Sequence, residues 1–130
     1  MGSDKIGQRN SKKRDQIVAL IKEASGPLAV NDIHSLLEES GTPVGIATVY
    51  RTVKLLLETK QLTDVVFADG VVRYELSLLE HHHHFCCESC GKVFDLPYCE
   101  HKSHVHGLAE GFVVKSHEIT YYGQCNRCSV

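Results

Sequence analysis

The chain has 130 residues, 42 % of them hydrophobic, and a formal net charge of −2. That is enough for one ordinary domain or two small lobes, too apolar for a disordered chain, and too weakly charged for net charge alone to mark a nucleic-acid binder. No apolar run approaches the roughly 20 residues of a membrane helix. The polar start, Met1-Gly2-Ser3-Asp4-Lys5, carries no secretory signal. The expected compartment is therefore a reducing cytoplasm, where paired cysteines read as metal ligands rather than disulfides. Charge is unevenly spread: residues 1–54 hold eight Lys/Arg against six Asp/Glu, and residues 55–130 hold six against ten.

In chain order, Lys12-Lys13-Arg14 leads into a helix whose apolar stripe is Ile17, Leu20 and Ile21, ended by Gly26-Pro27. A second helix fits Val30 to Glu39, with Val30, Ile33, Leu36 and Leu37 on one face and Gly41 as its C-terminal cap. A third fits Gly45 to Lys60, entered through Thr42-Pro43, with Ile46, Val49, Val53, Leu56 and Leu57 buried. Its opposite face carries Thr48, Arg51, Thr52 and Lys54, edged by Ala47 and Tyr50. Two strand-like runs follow, Thr63 to Ala68 and Val71 to Leu76, with Asp69-Gly70 as the hairpin signal between them. Three helices and a hairpin is the order of a winged helix-turn-helix, whose third helix enters the major groove.

After Leu76 the composition shifts. Residues 77–80 form a short connector, and the chain then becomes rich in His and Cys. Phe85-Cys86-Cys87 and Lys92 to Leu96 read as strands around a Cys-x-x-Cys-Gly turn, residues 100–109 as a helix, and Phe112 to Tyr122 as a strand. The expected class is α+β: a winged helix-turn-helix over 1–76, a connector over 77–80 and a His- and Cys-rich, metal-binding segment over 81–130.

Two Cys-x-x-Cys pairs, Cys87/Cys90 and Cys125/Cys128, can each turn both sulfurs toward one ion. Together they make a closed tetrahedral S4 set, the usual structural zinc arrangement; iron also accepts four sulfurs, and a lone pair of this kind could be thioredoxin-like. Cys86 would point to the opposite face of its strand, and Cys99 has no assigned role. The run His81-His82-His83-His84 divides by strand alternation into His82 with His84 and His81 with His83, which could serve two separate metal sites. Glu75, Asp95, Glu100, Glu118, His101, His104, His106 and His117 are further donors.

Gly45-Ile46-Ala47-Thr48-Val49-Tyr50-Arg51, followed by His81 to His84, Cys87-x-x-Cys90-Gly91 and the terminal Cys-x-x-Cys, resembles the ferric uptake regulator family of metal-sensing bacterial transcription factors. The resemblance runs over about residues 12–128. It implies a winged-helix DNA-binding domain over 1–76, a hinge over 77–80 and an α/β dimerisation domain over 81–130, with a structural zinc on the four cysteines, Tyr50 approaching bases, and Arg51 approaching phosphate or a guanine edge. It also implies an inter-lobe sensing site on Glu75, His82, His84 and Asp95. A further site in the dimerisation lobe maps onto His81, His83, Glu100 and His117, the last two allowing a short deletion after Asp95.

The chain departs from the family in places. Pro27 stands where many iron-sensing members have a histidine, with His34 one turn or more further on, and the connector around Ser77 lacks the cysteine common in zinc-sensing members. These departures select no single metal, and the regulatory ion is expected to be a divalent one, Fe2+ or Zn2+. The expected function is a homodimeric, metal-dependent repressor of metal-homeostasis genes on a double-stranded DNA operator, with Lys12, Lys13, Arg14 and Lys54 on phosphates and Arg73 in the minor groove. A zinc enzyme or a metal-storage module built on the His-rich cluster are the alternatives.

Overall fold

Three amphipathic helices open the chain in the computed structural model, which describes residues 2–99 and 105–129, with side chains from residue 11 onward. They are α1 (Gly2–Glu23), α2 (Val30–Glu39) and α3 (Ile46–Glu58). Their apolar stripes meet in one core of Ile17, Ile21, Val30, Ile33, Leu37, Val49, Val53 and Leu56, closed by Leu62 from the following strand. Burial of that area from water is the main force holding the helices together.

The helix ends are specified locally. Asp32 reaches back to accept the Ala29 N–H at 2.9 Å, tying the first turn of α2. At its other end the Thr42 N–H donates to the Leu37 carbonyl and the Gly41 N–H to that of Glu38, with Gly41 at φ +78°. That is a complete Schellman cap. The end of α3 repeats the pattern, Gln61 N–H to Leu56 and Lys60 N–H to Leu57, but places Lys60 at φ +62°, where a Cβ is unfavourable.

Strands β1 (Leu62–Val66) and β2 (Val72–Leu76) pair antiparallel, Leu62 opposite Leu76 and Val66 opposite Val72. Leu28 and Tyr74 exchange both backbone hydrogen bonds, so the segment after α1 adds a one-residue bridge to the hairpin. The turn between the strands is longer than a two-residue Asp-Gly turn: residues 67–71 lie between the strands, Gly70 adopts φ +75°, and Asp69 Oδ1 accepts the Val71 N–H. The same carboxylate grips Arg73, whose Nη1 and Nη2 donate at 3.2 and 2.8 Å. Arg73 is buried and lies 5.8 Å from the Phe67 ring. It is thus a clasp of the hairpin, and the expectation that it reads a minor groove is corrected.

The chain divides between Leu78 and Leu79. In the second unit β3 (His83–Cys87) is central, antiparallel to β4 (Val93–Leu96) and parallel to β5 (Thr120–Gly123), in the order β4-β3-β5. The β3–β4 turn is the first cysteine knuckle: the Gly91 N–H donates to the Cys87 carbonyl, and the Cys87 N–H to that of Lys92.

Three expectations need correction. Ile46, assigned to the buried stripe of α3, is 40 % exposed, because it starts the helix before that stripe has a partner. The strand proposed from Phe112 to Tyr122 is only Thr120–Gly123. Residues 112–119 have β-forming side chains but no partner strand for most of their length. The described part of the 100–109 helix, residues 105–109, is turn and coil.

Two outcomes follow for stability. Lys60→Gly should raise unfolding free energy by about 1 kcal/mol, read from the denaturant midpoint, by relieving the left-handed lysine. The Arg73 guanidinium and the Val71 N–H hold the Asp69 carboxyl below its usual value of 3.8. A depressed folded pKa means that this ion pair contributes fully above that value and is lost as pH falls through the folded one. Asp69→Asn should cost about 1–2 kcal/mol at neutral pH, discounted for the exposed carboxylate, and should flatten the acid limb of the stability–pH curve.

Candidate metal centres and nucleic-acid interface

The first knuckle sits where β3 ends and turns into β4; the second follows β5 directly. The strand pairing therefore brings Cys87, Cys90, Cys125 and Cys128 to one end of the sheet, with all four sulfurs within 4.8 Å of one another. Cys90 Sγ and Cys125 Sγ are 3.9 Å apart, too far for a disulfide and close to the roughly 3.8 Å edge of a tetrahedron with zinc–sulfur bonds of about 2.3 Å. Backbone N–H groups of Cys90 and Cys125 donate to Cys87 Sγ at 3.5 and 3.3 Å. They hold the Cys87 thiol down to about 6, which favours the thiolate, the form that binds a metal. Burial raises Cys125, but N–H groups of Cys128 and Arg127 outweigh it and its pKa falls. Cys128 is pushed up to about 12 because its proton is shared with Cys125 and Cys87. A thiophilic ion bound by the set would displace the thiol protons that remain.

The histidine run splits across β3. On one side His82 Nε2 and His84 Nε2 lie 3.8 and 3.5 Å from Asp95 Oδ1. The partner strand positions Asp95, which is directly opposite His84 in the β3–β4 register. His82 Nδ1 is 2.7 Å from the Glu80 carbonyl, which can only accept, so Nδ1 carries a proton. Glu75, the other residue assigned to this site, is on β2 of the first unit.

On the other side His81, His83 and His117 converge, and their fourth neighbour is Cys99. Nε2 of His117 is 3.0 Å from that of His81 and 3.2 Å from that of His83. Cys99 Sγ is 3.1 Å from both His83 Nε2 and His117 Nε2. Glu100, expected here, lies outside the described residues, as do His101 and His104. Sequence reasoning left Cys99 without a role. The signal that could have found it is the hairpin register: Leu96 pairs with His83, so the chain leaves β4 beside that histidine three residues before Cys99. His106 and Glu118 are exposed, and His34 lies on α2, 3.5 Å from Glu38.

The outward face of α3 carries the expected polar set. Val49, Val53 and Leu56 are buried beneath it, which leaves Ala47, Tyr50, Arg51 and Lys54 exposed, with Thr48 and Thr52 half-buried. Arg51 Nη2 donates to Thr48 Oγ1 at 3.2 Å, which steadies the guanidinium along the helix. On α1, Lys12 is exposed, Lys13 and Arg14 are half-buried, and Arg14 donates to Ser11 Oγ at 3.0 Å.

Compared with known proteins, residues 5–122 match the model of the Ferric uptake regulator family. The Ferric uptake regulation protein of Bacillus subtilis (strain 168) is 34 % identical over 115 residues, 85 % of this chain and 77 % of that one. Among solved structures, a zinc-bound manganese uptake regulator superposes with a TM-score of 0.68 at 21 % identity, covering 94 % of this chain and 97 % of that one. FurB from M. tuberculosis, a zinc uptake regulator, does so with a TM-score of 0.53 at 27 % identity, covering 94 % and 96 %.

Cys87→Ser should unfold the second unit and spare the first. Hydrogen exchange at amides of β3, β4 and β5 should become fast, while the helical circular dichroism of α1–α3 persists. Unchanged protection in the sheet would show that the cysteines do not carry its folding free energy.

Proposed function

The chain belongs to the ferric uptake regulator family, and on that premise we propose that it is a metal-dependent DNA-binding regulator, a cytoplasmic homodimer that represses metal-homeostasis genes. The observation that carries the reading is that one chain combines an outward-facing polar helix, α3, with a second cluster of metal donors, His82, His84 and Asp95, outside the cysteine cage. The zinc-enzyme alternative falls with family membership, since these proteins are transcription regulators and not enzymes. No described helix is long and apolar enough to cross a membrane.

Each set of residues has a task in this proposal. Ala47, Thr48, Tyr50 and Arg51 meet base edges and adjacent phosphates in the major groove, while Lys54, Lys13 and Arg14 contribute salt-dependent phosphate contacts. Cys87, Cys90, Cys125 and Cys128 hold a structural zinc. His82, His84 and Asp95 hold the regulatory ion, Fe2+ or Zn2+, and Glu75 is proposed as their fourth donor on sequence grounds. An ion bound there supplies binding free energy that differs between DNA-competent and incompetent arrangements, and such coupling is typically about 1–3 kcal/mol. Homodimerisation is supported by the second unit's exposed apolar side chains, among them Phe112, Val113, Tyr121 and Tyr122. A dimer would present two copies of α3 about one helical turn of DNA, or a multiple, apart.

The test is an anisotropy titration on duplexes enriched from a random pool by the metal-loaded protein. Fe2+ or Zn2+ should tighten binding about 5–150-fold. His84→Ala should abolish that gain and keep one zinc per chain. Stoichiometric metal binding with unchanged DNA affinity would overturn the regulator reading in favour of metal storage.

A further inference from the structure

The cluster of His81, His83, Cys99 and His117 makes poor sense as a hydrogen-bond network. A ring nitrogen has a single in-plane valence, a proton or a lone pair, and can make one well-directed hydrogen bond. Yet His117 Nε2 faces His81 Nε2, His83 Nε2 and Cys99 Sγ, all at 3.0–3.2 Å. Three partners crowded on one nitrogen is the arrangement expected when the four atoms share a common centre rather than a proton.

We propose that Cys99 is the fourth ligand of a His3Cys site with His81, His83 and His117, and that its thiolate selects a borderline-soft divalent ion of the zinc class. Zinc–nitrogen bonds of about 2.1 Å and a zinc–sulfur bond of about 2.3 Å give tetrahedral edges of roughly 3.4 Å for N···N and 3.6 Å for N···S. The observed edges are a few tenths of an ångström shorter, within reach of small side-chain rotations. Ligation through His83 Nε2 moves that ring's proton to Nδ1 and gives up one long contact, the Ile119 N–H to His83 Nδ1 at 3.3 Å.

The surroundings suit such an ion. His83 is buried, Cys99 and His117 are half-buried and His81 is exposed, so the cluster is shielded on one side and open to entry on the other. The donor types then decide the metal. Three imidazoles and a thiolate favour zinc, cobalt, nickel or copper over the oxygen-seeking manganese and magnesium, and the affinity order of divalent ions places ferrous iron below zinc. A carboxylate in the same place would have kept the site open to harder ions. This ion is distinct from those assigned to the cysteine cage and to His82, His84 and Asp95.

Cobalt reports sulfur ligation directly. The full chain, carrying one zinc per chain, is titrated with Co2+ while zinc content is followed by native mass spectrometry, so that exchange into the cysteine cage is seen. A sulfur-to-cobalt charge-transfer band should grow with zinc retained, and Zn2+ but not Mn2+ should compete it away. Cys99→Ser should remove the band and weaken cobalt binding at least tenfold. His81→Ala, at an exposed position, should weaken binding and keep the band, and Glu100→Gln should change neither. The proposal is overturned if no sulfur band forms with zinc retained, if the band survives Cys99→Ser with zinc retained, or if Glu100→Gln rather than Cys99→Ser weakens the ion. No DNA enters the measurement, so this proposal and the regulator reading can fail separately.

Discussion

Convergence of four sulfurs at one end of a three-stranded sheet is the constraint on which the second unit depends. Among its described residues the buried apolar side chains are Cys86, Cys87, Val93 and Cys125, two of which belong to the knuckles themselves. So few buried groups supply little hydrophobic free energy against the entropy of ordering a chain of this length. Small domains with that deficit use covalent or metal cross-links. The two knuckles join the β3–β4 turn to the end of β5, so one ion would fasten the central strand to both neighbours. The first unit needs no such device, because three helices and a hairpin enclose a core of nine buried side chains.

β3 also does the sorting. β3 begins at His83, and the strand with the two residues leading into it divides four consecutive histidines into two sets, His82 and His84 against His81 and His83. Each pair then takes the chemistry of whatever the fold brings beside it. The antiparallel neighbour delivers Asp95 to one side. The segments after β4 and before β5 deliver Cys99 and His117 to the other. The run thus contributes to two sets of potential donors, one with a carboxylate oxygen and one with sulfur.

The helices were legible because each signal was local. Gly41 marked the end of α2, and the stripe of Val49, Val53 and Leu56 left Tyr50 and Arg51 outside. The two knuckles were legible because their spacing alone states a ligand set. What failed depended on distant partners. Residues 112–119 have strand-like composition, but a strand exists only where another supplies hydrogen bonds, and β3 does so from Thr120. Arg73 is a nearer case: it could be read as a minor-groove cation or as part of a plain strand, and Asp69, four residues earlier, ties it to the hairpin once the turn lengthens. Cys99 carried no signal in its neighbours, because its partners are 16 and 18 residues away in the chain.

The three clusters differ in a way that bears on which of them can sense. The cysteine set and the His81 set each supply four donors from within the second unit. A tetrahedral ion in either finds its shell complete there, so its occupancy has little reason to respond to the DNA-binding unit. The second unit contributes three donors to the other set, His82, His84 and Asp95, and a set with three donors in one unit would gain affinity from any element able to supply a fourth. By reciprocity, binding there would favour the arrangement that brings such an element in. Incompleteness, which would be a defect in a structural site, is what a sensing site requires. On the readings proposed above, two properties of a single histidine run separate: Cys99 beside His83 would govern which ion is kept, and the set of His82, His84 and Asp95 would govern whether its occupancy has consequences elsewhere in the molecule.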